Sequence, residues 1–90
     1  MTILVRKSMG QAIRRVRKEH GLGLRAVSKA SGISLSHLSD VENGKKEISS
    51  EFLNYLCKGT GIDLANLIMT TGRLIKVEQD RLEGNSRVQH

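Results

Sequence analysis

LRAVSKASGISLSHLSDVENG, residues Leu24 to Gly44, is the stretch on which the fold turns. Two helix-length segments meet at Gly32, whose missing Cβ permits a tight turn between them. Val27 in the first segment, Ile33 just after the turn, and Leu38 and Val41 in the second predict inner faces that lock the pair at a fixed angle. Ser28 is small where the two backbones cross. Ser34 is a good N-cap for a helix over Leu35 to Glu42, and Asn43-Gly44 ends it. Leu35, Ser36, His37, Ser39 and Asp40 then fall on the outer side with no structural duty. Such a pair presents the start of its second helix to a DNA major groove while the first helix braces it.

Outward from that pair the chain stays helical. Met9, Ile13, Val16 and His20 recur at spacings of four, three and four, which predicts a helix that Gly21 and Gly23 stop. The second helix begins near Leu24 and runs to about Ser31, with Val27 and Ala30 inward. A fourth helix is expected from about Glu51 to Lys58, capped by Ser49 or Ser50, with Phe52, Leu53 and Leu56 buried. Asp63 caps a fifth, with Leu64, Leu67 and Ile68 as its apolar positions. Arg73 to Glu83 suits a further helix, and Ile68, Ile75 and Leu82 lie seven apart, which reads equally as a dimer seam or as a helix packed on its own domain. Gly72 interrupts that pattern, and residues from Gly84 to His90 read as a frayed end. No internal repeat is evident.

Composition narrows the class. Ninety residues suffice for one domain, and with one Phe, one Tyr, no Trp and no Pro the core must be aliphatic. No run alternates in the manner of a half-buried strand. The fold expected is all-α. The net charge is +6, and its excess sits at one end. Arg6, Lys7, Arg14, Arg15, Arg17, Lys18, Arg25 and Lys29 face only Glu19 in the first thirty residues. That is the footprint of a polyanion binder, although a solvated basic helix gives the same count. A single cysteine, Cys57, excludes an internal disulfide and a zinc knuckle, and it reads as a small buried hydrophobe in a cytoplasmic protein. The Ile3-Leu4-Val5 run is too short for a signal peptide or a membrane span.

With these pieces in order, the segment from Met9 to Ile68 resembles the Cro/C1-type (XRE family) helix-turn-helix domains of phage repressors and bacterial regulators. The matching stretches are MGQAIRRVRKEHGL, AVSKASGIS, LSDVENGKK, FLNYLC and GIDLANLI. RRVRKEHG, LRAVS and KKEISSEFLNYLC are similar, more narrowly, to actinobacterial activators of Clp protease genes. The resemblance implies a five-helix, phage-repressor-like bundle over residues 9–71, an arm over 1–8, and a C-terminal helical extension over 72–90. It also implies a homodimer on double-stranded DNA. Leu35, Ser36 and Asp40 would read bases. Arg25, Ser34, His37, Asn43, Lys45 and Lys46 would meet phosphates, and Arg17 with Glu42 would form a structural salt bridge.

The sequence departs from the family pattern in three places. Leu24 stands where a glutamine commonly opens the second helix, Ile48 replaces the usual proline before the fourth, and the recognition helix holds no Arg, Asn or Gln. Direct base readout is then modest, and DNA shape or the basic N-terminal region contributes. Ser36, His37, Ser39 and Asp40 include nucleophile, base and carboxylate, but they crowd one short helix rather than converge on a cleft. No catalytic residue, cofactor, metal, membrane contact or small-molecule effector is expected. An antitoxin or protein-interaction module built on the same fold is the alternative, and salt dependence separates the two.

Overall fold

The computed structural model describes residues 2–87, which form five helices: α1 (Thr2–Glu19), α2 (Leu24–Ser31), α3 (Leu35–Glu42), α4 (Ser50–Thr60) and α5 (Leu64–Arg87). The described residues include no strand. Ala12, Ile13 and Val16 of α1, Val27 of α2, Leu38 and Val41 of α3, Phe52 and Leu56 of α4, Leu67 of α5 and the loop residues Ile33 and Ile62 form one aliphatic core. α1 packs most extensively on α5 and also on α3; α2 packs on α4.

Two contacts are closer than side chains allow. A Cβ on Gly10 would overlap the Val41 carbonyl oxygen, and one on Gly59 would overlap the backbone at Ala30 and Ser31. Glycine at these two positions lets α1 lie directly on the end of α3 and lets α4 lie on the end of α2.

The ends of the chain differ from the sequence-based expectation. Residues 2–8, expected as an arm, are the first two turns of α1. α5 does not stop at Gly72 but continues to Arg87, so the fifth helix and the C-terminal extension are one element of 24 residues. Residues 84–87, expected to fray, belong to it, and 88–90 lie outside the described residues. Leu64 and Ile68 are each 45% exposed rather than inward, because Leu67, Thr70, Thr71 and Leu74 set the phase of α5. Ala30 and His20 also face outward.

The structure further corrects the reading that the chain has no repeat. Leu24, Lys29, Gly32, Ile33, Leu35 and Leu38 recur 29 residues later as Leu53, Lys58, Gly61, Ile62, Leu64 and Leu67. The turns at the two places share a hydroxyl bridge, although the Ser28 hydroxyl also bonds Ile33 O and the corresponding Cys57 makes no such bond among the described residues. The Ser31 hydroxyl donates to Val27 O at 2.7 Å and accepts the Ile33 N–H at 3.2 Å; the Thr60 hydroxyl donates to Leu56 O at 2.6 Å and accepts the Ile62 N–H at 3.2 Å. Gly32 and Gly61 sit at φ +76° and +77°. Ser34 Oγ then caps α3 at the His37 N–H, and Asp63 Oδ2 caps α5 at the Asn66 N–H. α2–α3 and α4–α5 are therefore two copies of one helix-turn-helix unit. The copies meet at corresponding positions, Gly59 against Ala30, as an approximate two-fold arrangement requires. Six identities within fifteen residues, present in only two copies, carry too little periodic signal to stand out in the sequence.

Candidate nucleic-acid interface

α3 is eight residues long and is held at its inner face by Leu38 and Val41, both fully buried. That leaves its first turn and outer side to solvent. Ser34 is in extended conformation and its hydroxyl takes the His37 N–H at 3.1 Å. The N–H groups of Leu35 and Ser36 make no hydrogen bond among the described residues, as expected for the first turn of a helix, and carry its positive dipole end.

Leu35 and Ser36 open onto a shallow groove whose other walls are Gly23, Leu24 and Arg25 from the start of α2 and Ser39 from the next turn of α3. Leu35 is 37% exposed. Arg25 is exposed and makes no ion pair among the described residues. Asp40, grouped with Leu35 and Ser36 by sequence, does not line this groove; it is half-buried, and its carbonyl accepts the Lys45 N–H at 2.8 Å. Ser39, placed on the outer side by sequence but given no DNA role, lines the groove, as does Leu24. For Ser39, its position four residues after Leu35 on the same helical face was the available signal.

The remaining site residues divide by how tightly they are held. The His37 ring is half-buried and lies tilted on Phe52, with centroids 5.1 Å apart. Asn43 caps the far end of α3, donating from Nδ2 to Ser39 O at 2.8 Å. Lys45 and Lys46 are exposed in the loop that follows. α1 passes beside this loop closely enough that a Cβ on Gly44 would lie 3.5 Å from the Lys7 Cα.

Behind α3, Arg17 and Glu42 form a two-pronged ion pair, Nε to Oε2 at 2.7 Å and Nη2 to Oε1 at 2.9 Å. The third prong, Nη1, donates to Leu22 O at 2.8 Å, so one guanidinium joins α1, α3 and the loop before α2. The two side chains are only 10% and 6% exposed. The hydrogen bond to Glu42 outweighs burial and holds the Arg17 pKa above its ordinary value. Burial, with help from the Asp63 charge, pushes the Cys57 thiol up, which makes it a poor nucleophile. The described residues contain no group of three or more His, Cys, Asp or Glu placed to hold a metal. None of their helices is long and apolar enough to cross a membrane.

Comparison with known proteins returns the same architecture. A family model described as a helix-turn-helix domain matches residues 8–67. The transcriptional regulator ClgR of Mycobacterium tuberculosis is 37% identical over 82 residues, covering 91% of this chain and 72% of the relative. The crystal structure of the clp gene regulator ClgR from Corynebacterium glutamicum matches with a TM-score of 0.80 at 33% identity, over 93% of this chain and 88% of that one. The restriction-modification controller protein C.AhdI from Aeromonas hydrophila matches with a TM-score of 0.63 at 26% identity, over 68% and 92% of the two chains.

Proposed function

Because this chain belongs to the Cro/C1-type helix-turn-helix family and is a homologue of the ClgR transcriptional regulators, a non-enzymatic family, we propose that it is a sequence-specific regulator of clp genes. In this reading it acts as a homodimer on an inverted-repeat operator in the cytoplasm, without a small-molecule effector, and activates its targets. The supporting observation is the exposed first turn of α3, with two unbonded N–H groups, beside the start of α2. Leu35, Ser36 and Asp40 address base edges. Arg25, Ser34, His37, Asn43, Lys45 and Lys46 address phosphates through side chains or main-chain N–H groups.

The DNA-binding unit spans 9–71 and the extension from Gly72 serves dimerisation. Val77 and Leu82 of that extension are exposed apolar side chains suited to that role, and Leu64, Ile68 and Met69 of the same helix add to the apolar surface before it. Two recognition helices must then sit about one helical turn of DNA apart, about 34 Å.

The test is a selection of genomic fragments by the purified chain at two salt concentrations, repeated with Ser36→Ala and Asp40→Ala. An inverted-repeat site should emerge, upstream of clp genes, and bind more weakly as salt rises. Loss of one neutral hydrogen bond in Ser36→Ala should relax selectivity at one base pair by about threefold to tenfold. Variants as selective as the parent would remove the assignment to α3.

A further inference from the structure

Leu24 opens α2, Leu35 opens α3, and the two line one groove together with Ser36, Ser39 and Arg25. Leu24 is half-buried, one side packed against the core, and Leu35 is 37% exposed. α3, sequence LSHLSDVE, has no arginine, asparagine or glutamine, so it has no side chain able to grip a purine edge with two hydrogen bonds. Its groove offers an apolar wall from two leucines, two hydroxyls and the exposed Arg25, which the reading above assigns to phosphate. Ser39 Oγ sits 3.5 Å from the Asn43 Nδ2 donor, which leaves the serine's own proton to give away. Ser36 Oγ makes no hydrogen bond among the described residues.

Of the four bases, thymine alone shows an apolar group in the major groove, its C5-methyl, and it sets this next to the O4 acceptor. Hydroxyls donate or accept and discriminate little by themselves, so the choice of base falls to the apolar contact. We infer that this groove reads thymine by its methyl group, with Leu24 of the bracing helix acting beside Leu35 as a specificity-determining residue. Ser36 and Ser39 donate to O4 on the same edge. The inference rests on the DNA-binding reading above and adds a residue outside the recognition helix to it.

The test uses the full chain and two random duplex libraries, one synthesised with thymidine and the other with deoxyuridine in its place. Uracil keeps base pairing and O4 and lacks only the methyl. The thymidine library should yield a site with fixed thymines, and uracil at those positions should weaken binding about fourfold for each buried methyl. Uracil elsewhere in the site should change nothing. Leu24→Gln should abolish the thymine–uracil difference at one position while binding the uracil form as the parent does, and Leu35→Ala should abolish it at the same or the adjacent position.

Equal enrichment and equal affinity in the two libraries overturns the methyl reading and leaves DNA binding intact. A thymine preference that survives both variants overturns the assignment to this groove. Enrichment of nothing from either library overturns both readings, since a groove that binds no duplex reads no methyl. The comparison on the parent protein decides the methyl reading even where a variant folds poorly, and since Leu24→Gln and Leu35→Ala change residues at the two helix starts, either one that folds decides the groove.

Discussion

The two helix-turn-helix copies share their turn and their capping, and they differ in what their second helices show to solvent. At corresponding positions α3 carries Leu35, Ser36, His37, Ser39 and Asp40, whereas α5 carries Leu64, Ala65, Asn66, Ile68 and Met69. One outer face is polar and hydrogen-bonding; the other is largely apolar, with Leu64, Ile68 and Met69 each about half exposed. A polar face opening at a helix start suits base edges and phosphates. An exposed apolar face suits another protein surface. Local turn chemistry therefore aims a helix, and the side chains on its outer face decide its partner.

The copies are also anchored differently, and that difference sets the order of mutational effects. Glu42 and Thr71 occupy corresponding positions. Glu42 meets Arg17 from another helix, whereas Thr71 donates at 2.8 Å to Leu67 O of its own helix. Glu42→Gln leaves a nearly buried guanidinium without its counter-charge, so chemical denaturation should report a loss of about 3–5 kcal/mol. Replacing both partners by apolar residues should recover most of that loss. If the single change were harmless, α3 would be no better anchored than α5.

Gly32 and Gly61 come next. Neither has a neighbour within 4 Å of a built Cβ, so the penalty for alanine is the left-handed backbone alone. Each should lose about 1–2 kcal/mol, and the two losses should agree. Clearly unequal values would break the equivalence of the turns. Thr71→Val removes one hydroxyl that serves its own helix and keeps the shape, and should lose about 1 kcal/mol in the same assay.

The smallest effect lies on the outer half of α5, where Arg81 pairs with Glu78 and Lys76 with Asp80 in solvent. The Arg81 hydrogen bond holds the Glu78 carboxyl below its usual range. Its contribution to stability is present above the unfolded-state value and is lost as pH falls through the folded one. Because Arg81 is exposed and Glu78 only half-buried, solvent screens the pair, so Glu78→Gln should leave the acid limb of a stability–pH curve almost unchanged, and high salt should erase the rest.

Much of the centre was legible. The predicted bounds of α2 and α3 coincide with the observed ones because Gly32, Ser34 and Asn43-Gly44 are local signals acting within a few residues. The family resemblance supplied the Arg17–Glu42 pairing across 25 residues, which no local pattern encodes. What escaped was set by distant contacts. Ile3-Leu4-Val5 has no helical rhythm of its own, yet Leu4 lines a groove with Leu74 and Leu82 of α5, and that neighbour accompanies a helix where an arm was expected. Gly72 disfavours helix by about 1 kcal/mol intrinsically, a deficit that packing of α5 along α1 overrides. Ser39 was visible as a serine on the outer side of its helix, but its place in the groove depends on Leu24 and Arg25, supplied by a different helix.

The three acceptors around Arg17 have a consequence for association. A guanidinium whose fork is filled by Glu42 and whose remaining prong is held by Leu22 O fixes the tilt of α3 before any ligand arrives. Little rotational freedom of the reading head remains to be frozen on complex formation, so the entropic penalty on that side is small. On the proposed DNA-binding reading, mutual fit then falls to bending and twisting of the duplex, which favours operators whose base steps deform easily.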